Sequence, residues 1–148
     1  MGLFGMFGGK KDGAALEGEM GPGMVNMVAG MPGMMRKQMM RGRINQLLTL
    51  SEERRQQTIV GMFTGFHSPK VKEKNRHKVI ATRVEIIGEL SEDKRRTIMT
   101  SRVAALKATP ELEKADRKVQ EAVLVKVNDK ARRAFLTTWD SVHKPSQN

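Results

Sequence analysis

At 148 residues, with a formal charge of +11 and a sequence pI near 10.4, the chain has room for one domain of about 100 residues plus a sizeable tail. It contains no Cys, which excludes disulfides, thiolate zinc sites and a cysteine nucleophile. Hydrophobic content of 39% with five Phe, one Trp and no Tyr predicts a modest helical core built mainly from Ile, Val, Leu and Met, not a large enzyme cavity.

The charge is spread along the chain. Residues 1–50 carry six basic and three acidic side chains, and residues 51–148 carry 21 and 13. A folded domain as well as a tail is therefore basic, which favours an anionic partner: an acidic protein face, an anionic membrane surface, or nucleic acid. No stretch approaches the roughly 18 continuous apolar residues of a transmembrane helix. Residues 1–11 are apolar but lack the basic leader and cleavage site of a secretory signal, and Met6 stands where a myristoylation signal needs Ser or Thr. A cytoplasmic location with peripheral membrane association is expected.

Residues 1–33 read as a flexible Gly/Met-rich arm, broken by Pro22 and Pro32. Leu3, Phe4, Met6 and Phe7, followed by Lys10 and Lys11, form an apolar tip suited to a bilayer surface with anionic head groups. Met24, Met27, Met35 and Met39 extend the apolar arm, offering flexible thioether side chains for gripping an apolar partner helix. Thioethers at the Met24–Met27 spacing also suit Cu(I), a chemistry of exported proteins that this sequence does not favour. The segments Met20-Gly-Pro-Gly-Met24 and Met31-Pro-Gly-Met34 are similar in texture to the Met/Gly-rich linker of signal-recognition-particle proteins. No GTPase domain accompanies them, so no role is carried over.

Residues 34–145 read as a basic helical domain of about five to six helices, followed by a short tail, 146–148. The first helix runs from about Gly33 to Leu50, with Met35, Met39, Ile44, Leu47 and Leu48 as its stripe. Ser51 then heads a helix reaching about Phe66. Two stretches match, Leu50-Ser-Glu-Glu-Arg-Arg55 and Leu90-Ser-Glu-Asp-Lys-Arg-Arg96. Each places a capping serine and two acids at the positive end of a helix dipole. Ser68-Pro69 and Thr109-Pro110 match in the same way and predict helix starts, since proline suits the first helical position. The helix from Ser68-Pro69 is expected to run to about Glu89. Asn128 or Asp129 opens the last helix, with Ala131, Phe135, Trp139 and Val142 inward. Val123–Val127 is expected to lie inside the preceding helical period, with Ala122 and Val123 facing the core. The period of about forty residues resembles HEAT and armadillo helix-pair repeats. A compact bundle fits the same pattern.

The doublets Arg54-Arg55, Arg95-Arg96 and Arg132-Arg133 recur early in alternate helices, so they are expected to form a positive ridge for phosphates or carboxylates. The alternative is that each Arg pairs with acids one turn away. Lys70, Lys72, Lys74, Arg76 and Lys78 make the densest basic run and a plausible track for a phosphate backbone. A helix-turn-helix reading is open there, though the usual glycine-containing turn is missing. His67, His77 and His143 form no metal-ligand pattern, no nucleotide or hydrolase motif is present, and no acid–base pair has a reason to be perturbed. The expectation is a non-enzymatic protein without cofactor that docks on a larger complex or an anionic membrane. The alternative is a nucleic-acid-binding protein that contacts phosphates through its Arg/Lys ridges.

Overall fold

The computed structural model of the protein describes residues 21–144. The described residues form seven α-helices and no strand: α1 (Pro22–Ala29), α2 (Gly33–Thr49), α3 (Glu52–Phe66), α4 (Glu73–Glu89), α5 (Glu92–Leu106), α6 (Pro110–Val123) and α7 (Asp129–His143). The all-α class is as expected, with one or two helices more than the sequence suggested. No helix among the described residues is long and apolar enough to cross a membrane.

Local chemistry sets most boundaries. Ser51 Oγ accepts from the Arg54 amide, and Asn128 Oδ1 accepts from the Ala131 amide at 2.9 Å. Ser91 occupies the matching position before α5, but its side chain makes no capping bond. The acids Glu92 and Asp93 still complement the helix dipole there. Proline opens α1 and α6.

Three boundaries differ from expectation. The arm was expected to stay irregular to residue 33, yet Pro22–Ala29 is helical and buries Val25, Val28 and Ala29 against the core. A short apolar stripe that can be covered by α4 outweighs the glycines. The second difference is that α4 begins at Glu73, not at Ser68-Pro69. Asn26 of α1 fixes the intervening turn: its amide donates to Lys70 O at 3.1 Å, while its Oδ1 accepts from Asn75 Nδ2 at 2.9 Å. Val71 is buried in that turn, and continuing the helix back through it would remove both arrangements. Near the other end, the helical period breaks at a 3-10 turn, Leu124–Lys126, which buries Val123 and Val127 while Val125 and Ala122 stay exposed.

Helix α4 is central. Val79, Ile80, Thr82, Arg83, Val84, Ile86, Ile87 and Gly88 are all buried, and α1, α2, α6 and α7 pack around it. A helix buried on several faces cannot show a narrow apolar stripe. Each fully buried Val or Ile contributes about 1.5–3 kcal/mol relative to exposure. The principal contacts join helices two or three apart in sequence, α4 with α7 and α3 with α5 above all. Helices α4 and α7 meet at Gly88, where an added Cβ would stand 2.3 Å from Ala131 O. Lys37 ties α2 to α4 through Glu85 (3.2 Å) and Glu89 (2.8 Å), and Arg41 adds a second bridge to Glu89 at 3.0 Å.

Candidate functional site

One arginine connection recurs at five helix starts. Each time, an Arg four residues past the N-cap donates to the carbonyl five residues behind it. Arg36 donates to Met31 O (3.0 Å), Arg55 to Leu50 O (2.8 Å), Arg76 to Val71 O (3.1 Å), Arg95 to Leu90 O (2.6 Å) and Arg132 to Val127 O (2.8 Å). Four of the five reach further back as well, to Ala29 O, Leu47 O, Phe66 O and Leu124 O. These carbonyls lie at or just past the end of the preceding helix or turn, where acceptors lack intrahelical partners and the dipole is negative. The guanidinium therefore fastens one helix start to the preceding helix end.

This corrects the expected ridge. Arg55 is buried, and Arg76, Arg95 and Arg132 are half-buried; besides the main chain, Arg55, Arg76 and Arg132 meet Glu52, Glu73 and Asp129 one turn away, as the alternative reading expected, and Arg95 meets Thr138. Arg54 is half-buried, while Arg96 and Arg133 are exposed and pair with Glu92 and Asp129 respectively. The basic run divides in the same way. Lys70 and Lys72 precede α4 and Lys74 and Lys78 lie on it, all four exposed. Lys74, Arg76 and Lys78 of the expected track are therefore helical, while Lys70 and Lys72 are not.

Of the apolar arm, Leu3, Phe4, Met6 and Phe7 lie outside the described residues. Met24 and Met39 are half-buried against the core. Met35, expected to face the core of α2, is instead 53% exposed; Met27 is 52% and Met34 77% exposed. These three, on α1 and the first turn of α2, are with Val125 the large hydrophobic side chains that stay in solvent among the described residues.

A second constellation was not anticipated from the sequence. Asp116 of α6 is fully buried and accepts from three side chains. Arg83 Nη1 and Nη2 of α4 donate to its two oxygens at 2.9 and 2.7 Å, Arg102 Nη2 of α5 donates at 3.0 Å, and His67 Nε2 lies 2.7 Å from Oδ1. Gln120, one turn on, accepts from Arg83 at 3.2 Å. Burial alone would raise the Asp116 carboxyl; the Arg83 charge, the His67 hydrogen bond and Arg102 outweigh it and hold the group well below the usual carboxylate range. Both guanidinium groups lie over aromatic rings, Arg83 over Phe63 at 4.6 Å and Arg102 over Trp139 at 4.8 Å. The signal for this cluster was a charge inside an apolar stripe. Asp116 and Gln120 fall among Leu112, Val119 and Val123, and Arg83 lies among Val79, Ile80, Val84 and Ile87.

Arg102 is the imperfect member. It is 5% exposed, and its Nε and Nη1 have no hydrogen-bond acceptor among the described residues. Burial lowers its pKa from the usual value, with Asp116 acting in the opposite sense. Arg102 also lines an open cleft of about 260 Å³ between α5 and α6, with Lys107, Pro110, Glu113, Arg117 and His143 among the other walls. No three His, Asp or Glu side chains among the described residues are grouped to hold a metal ion. No protein-family model, curated protein sequence or solved structure matches the chain.

Proposed function

We propose that the protein is a non-enzymatic, basic, all-helical interaction protein that docks through its N-terminal end on a larger complex presenting apolar and acidic groups. The observation that carries this reading is the exposure of Met27, Met34 and Met35 on the first two helices, while the other large hydrophobic side chains among the described residues, Val125 apart, are buried or half-buried. Flexible thioether side chains adapt to a partner's contour and lose affinity when replaced by polar ones. The apolar tip Leu3, Phe4, Met6 and Phe7 and the lysines Lys10 and Lys11 precede this surface in sequence and suit the same partner. The net charge of +11 favours an acidic counterpart. In this reading the five arginine connections make one relay of helices, and the partner meets its first members.

Nucleic-acid binding through Lys70, Lys72, Lys74 and Lys78 is the competing reading, supported by the exposure of all four. One experiment separates the two. The intact protein and its Met27→Ser/Met34→Ser/Met35→Ser variant are purified gently from their own cells at low salt, and co-eluting proteins and nuclease-sensitive absorbance are recorded. A defined protein set lost in the variant supports docking. Nuclease-sensitive material retained equally by both overturns it.

A further inference from the structure

The connection found at five helix starts is broken at α6. Four residues past its N-cap Thr109 stands Glu113 instead of an arginine. This position faces the cleft between α5 and α6. Glu113 is held by Arg117 at 2.6 and 2.9 Å and lies 3.7 Å from Arg102 Nη1, beyond hydrogen-bond range. Arg102 thus keeps two buried donors that no acceptor among the described residues meets, although a buried charged donor left unmet is costly. Behind it, Arg83 and Arg102 share one fully buried carboxylate, Asp116, and the second carboxylate near Arg102, Glu113, is itself held by Arg117. In front of it stand Lys107 and Arg117. Val103, Leu106 and Pro110 supply an apolar wall, and at about 260 Å³ the cleft falls just under the roughly 300–1,000 Å³ of sites for drug-sized molecules.

We propose that this cleft binds a small organic carboxylate with a compact apolar body. Its carboxylate replaces the distant Glu113 as the partner of Arg102, with Lys107 and Arg117 beside it, and its hydrocarbon lies on Val103, Leu106 and Pro110. Of the two unmet donors, Nη1 is the one on the Glu113 side, 3.7 Å from that carboxylate, and it is the donor the ligand's carboxylate takes; Nε lies on another edge of the guanidinium. The apolar wall gives a bare inorganic anion nothing to use.

The molecule carries its own reporter. Trp139 is the only tryptophan, with Arg102 at 4.8 Å and Arg117 at 5.6 Å over its ring. The full-length protein is titrated at constant ionic strength with 3-methylbutanoate, with 3-methyl-1-butanol and with inorganic phosphate, following Trp139 emission. Only 3-methylbutanoate is expected to give a saturable change, at about millimolar concentration. Lys107→Gln leaves Asp116 and Trp139 untouched and is expected to weaken binding about 5-fold; Glu113→Gln removes the competing carboxylate and is expected to tighten it about 3-fold. An equal response to the alcohol or to phosphate overturns the assignment. So does no saturable response below about 50 mM, or unchanged affinity in both variants.

Discussion

Asp116 and Arg83 face each other through two parallel hydrogen bonds, 2.9 and 2.7 Å long, with neither side chain more than 6% exposed. They come from α6 and α4, and the same carboxylate also engages His67 and Arg102. Removing one member of such a group costs more than the group contributes, because the others remain buried and unmatched. Asp116→Asn is therefore expected to destabilise the fold by about 3–5 kcal/mol, read from the urea midpoint. The Asp116→Asn/Arg83→Met double variant is expected to lose clearly less than the sum of the single losses. Additive losses would show that the pair is not coupled.

The same group sets an acid limit. Its pKa is depressed in the folded state, so its stabilisation is present above the ordinary carboxylate value of about 3.9 and is lost as pH falls below it. The wild-type protein is expected to lose stability steeply between about pH 4 and pH 2, and Asp116→Asn to show a shallower slope over that range. Parallel slopes in the two proteins would remove Asp116 as the cause.

Two glycines in helices should respond in opposite directions. Gly88→Ala places a methyl 2.3 Å from the main-chain oxygen of Ala131, where neither helix can yield without separating α4 from α7. A loss of about 2–3 kcal/mol or more is expected. Gly42 has open space around the same added carbon, so Gly42→Ala should gain about 0.5–1 kcal/mol through helix propensity. Thermal melts of both variants test the pair, and a destabilised Gly42→Ala would contradict the geometry.

Adjacent arginines also separate. Arg95 donates to Leu90 O and, at 2.7 Å, to Thr138 Oγ1, whereas Arg96 is exposed and meets Glu92 at 3.3 Å. Arg95→Gln is expected to cost about 1.5–3 kcal/mol and Arg96→Gln within about 0.5 kcal/mol. Denaturant titration of the two variants checks this, and equal losses would contradict the assignment of one to the fold and the other to the surface.

Much of the helix register was legible locally. Ser51 and Asn128 cap where expected, Pro110 opens a helix, and Ile44, Leu47, Ala131 and Phe135, read as facing inward, are buried. These depend on side chains within a turn of one another. The arginine connection was partly visible too, since Leu50…Arg55 and Leu90…Arg95 lie inside the two matching stretches. Reading the doublets as a charged ridge hid it, because a sequence does not tell whether a guanidinium turns outward or back onto the preceding carbonyls.

By itself, then, the sequence determined an all-helical, basic chain with its capping chemistry and most of its apolar stripes, because those are set by neighbours a few residues apart. Only the tertiary structure decided which charges are buried. Asp116, Arg83, Arg102 and His67 come from separate parts of the chain, and although Asp116 and Arg83 stand inside apolar stripes, nothing local pairs them. Packing several helices around α4 brings them within 3.0 Å of shared oxygens. The same packing made Pro22–Ala29 part of the core, because an eight-residue helix gains its stability from the surface that covers it.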